Sequence, residues 1–126
     1  MRHYEYNESE DSYEMALEWI SRRDFEKAIA RIRHAIELNP NFVYAYITLA
    51  ETYVRMKNYP EAVAAIKKAQ RIDPGFHRLD YLLARYAFKA GDLPLAARAI
   101  ERAVEKSPEA LYLKARERIR RAGRRP

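Results

Sequence analysis

The chain repeats itself every 34 residues. Pro40, Pro74 and Pro108 stand at that interval. So do Ala28, Ala62 and Ala96; Ile32, Ile66 and Ile100; Ala35, Ala69 and Ala103; and Ala16, Ala50 and Ala84. Five columns in one register restrict the fold to a stack of one supersecondary unit, because a single unit of this size cannot bury its own apolar face. Each unit holds two stretches with helical apolar periodicity. A short polar break divides them, at Arg23-Asp24, Lys57-Asn58 and Gly91-Asp92. Asp24, Asn58 and Asp92 suit the N-cap of the second helix, and Pro60 and Pro94 fall in its first turn, where a missing N–H costs little. The alanine columns let helices approach closely. Trp19 and Tyr53, with Phe25, Tyr59 and Leu93, fill the spaces beside them. The period predicts an all-α chain of antiparallel helix pairs.

This pattern resembles the tetratricopeptide repeat family. Repeat one spans 9–42, with Met15-Ala16, Trp19, Ala28, Ile32, Ala35 and Pro40. Repeat two spans 43–76, with Tyr46, Leu49-Ala50, Tyr53, Ala62, Ile66, Ala69 and Pro74. Repeat three spans 77–110, with Leu83-Ala84, Ala87, Ala96, Ile100, Ala103 and Pro108. The resemblance implies a right-handed α-solenoid of three repeat units and about seven helices. Ser12 and Asp80 stand where a large residue is usual, and Ala87 where an aromatic is usual, so these positions are expected to weaken individual contacts. Residues 111–126 read as a capping helix and basic tail, with Ser107 as its cap, Pro108 at its first position, and Leu111, Ala115, Ile119 and Ala122 facing inward. Residues 1–8 read as a flexible acidic N-terminus.

At 126 residues the chain is one domain's worth. It contains no cysteine, which excludes disulfides and thiolate metal sites, and three glycines, too few for a glycine-rich phosphate cradle. No apolar run approaches the ~20 residues of a membrane span. The opening Met-Arg-His-Tyr lacks the apolar core of an export signal, so a cytoplasmic protein is expected. The formal charge of +6 sits wholly in the last residues: Lys114, Arg116, Arg118, Arg120, Arg121, Arg124 and Arg125 face one acid there, Glu117, whereas residues 1–110 balance bases against acids. Such a tail attracts anionic partners, and it also suits the negative end of a terminal helix.

Nothing in the sequence carries catalysis. His3, His34 and His77 are far apart and lack a second ligand at metal spacing. Ser9, Ser12, Ser21 and Ser107 lie in no nucleophile motif. No enzyme activity, cofactor or metal is expected.

What remains is a binding surface. The resemblance implies that the first helix of each pair lines a concave groove in which family members hold peptides. On that basis the partner-binding residues are Tyr13 and Leu17 in repeat one, Tyr44, Thr48, Glu51 and Arg55 in repeat two, and Arg78, Tyr81, Arg85 and Lys89 in repeat three. Family members that grip the C-terminal carboxylate of heat-shock chaperones carry Lys, Asn and Arg at set groove positions. Here those positions are Tyr13, Leu17, Thr48, Arg78 and Leu82, of which Arg78 alone is comparable. The expected function is a non-catalytic scaffold or adaptor that binds a peptide, with an acidic segment suited to the bases of repeat three. Two alternatives stand beside it. One is attachment to nucleic acid or another anionic surface through Lys114, Arg118, Arg120, Arg121, Arg124 and Arg125. The other is self-assembly through the solenoid ends, where Met15, Trp19 and Ile20 lack an N-terminal cap helix.

Overall fold

The computed structural model describes residues 3–125, with side chains from residue 8 onward. Seven helices follow one another: α1 (His3–Ser21), α2 (Phe25–Leu38), α3 (Val43–Arg55), α4 (Tyr59–Ile72), α5 (His77–Ala90), α6 (Leu93–Lys106) and α7 (Ala110–Gly123). They form an all-α solenoid of antiparallel pairs, α1–α2, α3–α4 and α5–α6, with α7 laid against α6 and α5.

The 34-residue period is visible in the backbone itself. At each turn inside a pair, one residue is left-handed: Arg23 and Lys57 at φ 62° and Gly91 at φ 87°. The next N–H reaches back five residues, from Asp24 to Trp19 O (2.9 Å), from Asn58 to Tyr53 O (2.8 Å) and from Asp92 to Ala87 O (2.9 Å). This closure satisfies the last carbonyls of the first helix and reverses the chain. Glycine stands at the strained position only in the third unit. The first and second units hold a side chain there, at about 1 kcal/mol each. The second helices are then capped as their sequence indicates, by the side chains of Asp24, Asn58 and Asp92 on the N–H groups of Lys27, Glu61 and Leu95.

Packing follows the same columns. Every alanine and isoleucine of the four apolar columns is buried, and the proline column lies at the surface. Ile32, Ile66 and Ile100 are the largest of these, each stabilising the stack by about 2–3 kcal/mol on burial.

Four local readings need correction. Helix α1 begins at His3, six residues ahead of the repeat boundary at residue 9, so that residues 3–8 are helical. Ser9 is buried against α2, and so is Ser12, expected instead to weaken a contact. Their hydroxyls donate to Ala35 O (2.9 Å) and Arg31 O (2.8 Å), binding the start of α1 to α2 where a large side chain would hold them apart. Secondly, Ser107 ends α6 and does not cap α7: its N–H donates to Ala103 O, and α7 starts at Ala110 after Glu109. Thirdly, Leu111 is half exposed, and Tyr112 takes the inward position at 2% exposure. The Tyr112 ring stacks on Tyr81 at 4.9 Å, and its hydroxyl lies 2.8 Å from His77 Nδ1.

Asp80 is the fourth. It weakens nothing. Its carboxylate is 1% exposed and accepts from Gln70 Nε2 (2.9 Å), Arg102 Nε (3.2 Å) and Lys106 Nζ (2.6 Å). Lys106 also donates to Pro74 O (2.7 Å). One buried carboxylate thereby ties together α4, α5, α6 and the loop between repeats two and three. Among the described residues no buried side-chain nitrogen or oxygen lacks a partner.

Candidate functional site

The expected groove residues divide into two sets. Leu17, Tyr44, Glu51, Arg55, Arg78, Arg85 and Lys89 are exposed, Tyr44 at 61%. Tyr13, Thr48 and Tyr81 are taken up in packing. The Tyr13 hydroxyl lies 2.8 Å from Thr48 Oγ1, its ring lies 4.9 Å from that of Phe42, and Thr48 is buried. These two residues join repeats one and two. Tyr81 is 7% exposed between α5 and α7.

Several cations rest on aromatic faces. Arg55 lies 5.0 Å over the Phe25 ring and Lys89 5.9 Å over Tyr59, each reaching from a first helix to the second helix of its own or the preceding unit. Arg85 lies 6.0 Å over Tyr81. The last two sit at the outer limit of cation–π attraction, so Arg85 and Lys89 are held lightly. Trp19, expected at an open end, is half-buried beneath Lys27 (4.5 Å) and Arg22 (5.4 Å).

The tail also divides. Arg116 and Arg120 turn to α6 and meet Glu101 at 3.5 and 2.9 Å, and Arg124 meets Glu117 at 3.6 Å. Lys114 and Arg118 point the other way. With Arg85 and Lys89 they border a cleft of about 540 Å³ between α5 and α7. Its remaining lining is Tyr81, Phe88, Leu111, Ala115 and Ile119. Among the described residues none of the four cations has a carboxylate within 4 Å, and no acid lines the cleft. Two groups that the sequence presents as separate, the bases of repeat three and the bases of the tail, thus share one concavity. The signal for this was present in the spacing of Arg85 to Lys89 and Lys114 to Arg118, each one helical turn apart, but the sequence does not reveal that the two turns face each other.

Two phenols, Tyr86 and Tyr112, are shifted. Burial, then the nearby Glu51 carboxylate, pushes Tyr86 up to about 12. Burial, then Glu109, raises Tyr112. Among the described residues no three His, Cys, Asp or Glu side chains gather as a metal site, and no helix is long and apolar enough to cross a membrane.

Geometry and period agree with the comparisons. Sequence profiles of the tetratricopeptide repeat match residues 20–86 and 81–116. The chain belongs to the tetratricopeptide repeat family. In structure it is similar to the N-terminal domain of stress-induced protein-1 from C. elegans (TM-score 0.85, 20% identity, 92% of this chain and 97% of that one). It is also similar to the first tetratricopeptide repeat domain of Spaghetti bound to the HSP90 peptide SRMEEVD (TM-score 0.83, 16% identity, 92% and 93% covered). A third likeness is to MamA (TM-score 0.75, 25% identity, 82% and 60% covered). No curated protein sequence matches the chain.

Proposed function

We propose that this protein is a non-catalytic adaptor that binds a peptide segment of a partner along the face formed by its first helices. The observation that carries the reading is the exposure, on a solenoid otherwise satisfied internally, of Leu17, Tyr44, Arg55, Arg78, Arg85 and Lys89 on α1, α3 and α5. Rigid aromatic and apolar groups set beside unspent charges are the usual material of an interface. The Spaghetti domain, alike in fold, is bound to a peptide, which supports the same use here. The ligand itself would differ, since only Arg78 corresponds to the residues of the chaperone-carboxylate grip.

The tail supports a polyanion anchor less well, because Arg116, Arg120 and Arg124 already have carboxylate partners within the fold.

Selection of a displayed random-peptide library on the immobilised protein tests the adaptor reading. Enriched peptides should bind the wild type and bind about tenfold more weakly to R78E/R85E/K89E, with its melting curve unchanged. Failure to enrich any peptide, or binding indifferent both to that variant and to L17A/Y44A, would overturn it.

A further inference from the structure

The cleft between α5 and α7 gathers four cations that have no carboxylate within 4 Å among the described residues. We infer that it is a site for an extended acidic peptide segment carrying bulky aliphatic side chains, gripped between the Arg85–Lys89 turn of α5 and the Lys114–Arg118 turn of α7. The inference rests on the adaptor reading and names its ligand class.

Geometry gives the first argument. Helices α5 and α7 both run antiparallel to α6, so they are parallel to each other. Each presents two cations at i and i+4, a step of about 6 Å along its axis. In an extended chain, side chains on one side recur every second residue, about 6.6 Å apart. Two acids at i and i+2 of a bound segment therefore match one cation pair, and the residues between them turn toward the other. Arginine forks and lysine ammonium groups without an internal carboxylate partner are suited to carboxylates.

The lining gives the second argument. Between the cations lie Phe88, Leu111, Ala115 and Ile119. Leu111 is 50% exposed, a large apolar side chain at the edge of the cleft. An aliphatic side chain entering there would cover it. The same lining disfavours single-stranded nucleic acid, which binds without sequence preference by stacking bases on open aromatic faces. Tyr81 is buried and already stacked on Tyr112.

The division of α7 gives the third. Lys114 and Arg118 face the cleft, and Arg116 and Arg120 are held on Glu101 of α6. The capping helix is fixed on its far side by ion pairs and keeps its near side open. It acts as a wall of the site.

The test is fluorescence anisotropy with a fluorescein-labelled Glu-Asp-Leu-Glu-Leu-Asp-Glu peptide and the full chain. Wild type should bind it with an affinity that falls as salt rises. The peptide with Gln and Asn in place of its acids should not bind, and that with Ser in place of Leu should bind more weakly. K114E/R118E should weaken binding about tenfold or more, the effect of losing one charge-assisted contact. R121E/R125E makes the same change of net charge away from the cleft and should leave binding within about threefold. All four side chains are exposed, and matched thermal melts establish that the variants fold. Equal losses in the two double variants would overturn the inference in favour of diffuse tail charge. Tighter binding of oligouridylate than of the peptide would overturn it in favour of a polyanion surface. Loss of peptide binding in L17A/Y44A but not in K114E/R118E would overturn the cleft and leave the adaptor reading standing. No binding of the peptide to wild type would also remove the cleft assignment, while the display selection would still decide the adaptor reading.

Discussion

Replacing Asp80 by alanine is expected to be among the costliest single changes in this chain. The carboxylate is 1% exposed and receives three donors, from Gln70, Arg102 and Lys106. Breaking a fully buried ion pair costs about 3–5 kcal/mol, mostly through the charge left stranded. Here the stranded groups are not fully buried: the side chains of Lys106 and Arg102 are 32% and 43% exposed and can turn to water. The expected cost of Asp80→Ala is therefore lower, about 2–3 kcal/mol, or a fall in Tm of about 8–12 °C for a chain of this length. Lys106→Met removes the closest donor but leaves the carboxylate with Arg102 and Gln70, so it should cost less, about 1–2 kcal/mol. The combination D80L/K106M puts an apolar pair where tetratricopeptide repeats usually have a large residue. It should come within about 1 kcal/mol of wild type, as apolar replacements of buried ion pairs commonly do. Urea unfolding followed by circular dichroism measures all three. A loss below about 1 kcal/mol for Asp80→Ala, or a double variant as unstable as the two single losses added together, would refute the argument that the carboxylate pins three helices.

Two further outcomes are expected. Gly91→Ala should destabilise by about 1 kcal/mol, because its φ of 87° is strained for any side chain although the space around it is open; Lys57→Gly, at the same place in the preceding unit, should stabilise by a few tenths to about 1 kcal/mol, glycine's extra unfolded-state freedom offsetting part of the relief. Both are read from thermal melts. Stability should also fall with pH above 10. Tyr86 keeps its proton to about 12 in the folded state against 10.0 in its absence, so between those values the native state binds more protons than the unfolded one, and stability present below pH 10 is lost as the pH rises through 12. The loss attributable to this group is at most about 2–3 kcal/mol. It should be missing from Tyr86→Phe, and phenolate absorbance should show Tyr86 and Tyr112 titrating late in the wild type, the Tyr86 part lost in that variant.

The helix pairs, their turns and their caps are legible in the sequence because each is set by residues within a few positions of one another and written three times. Asp92 caps α6 for the same local reason that Asp24 caps α2. The Asp80 cluster is not legible in this way. Its donors lie 10, 22 and 26 residues away on other helices, and a lone acid in an apolar column reads as a defect until those helices are packed. On α7 the inward stripe holds at Ala115 and Ile119 and fails only at Leu111, for a related reason. An apolar stripe through Leu111, Ala115 and Ile119 satisfies the helical period, but no eighth helix covers its outer edge among the described residues, and Tyr81 and His77 draw Tyr112 inward instead. The groove residues are those at the columns that line the groove in the family, a placement by register. Period marks which way a side chain points, not whether a neighbour has already claimed it, as Tyr13 and Thr48 claim each other.

The joints between successive units are unequal. Repeats one and two meet through neutral or singly charged contacts, Tyr13 on Thr48 and Phe42, and Arg33 Nη2 donating to the Tyr53 hydroxyl at 2.6 Å. Repeats two and three meet through Gln70 donating to the buried Asp80 carboxylate and Lys106 donating to Pro74 O, and α4 packs on α5 more extensively than α2 packs on α3. A linear stack with one weak and one strong joint does not open evenly. Its first helix pair is expected to fray first, exchanging amide hydrogens early and yielding first to a protease. The α5–α7 end keeps its shape through those excursions. A partner held at that end would stay attached while the other end breathes.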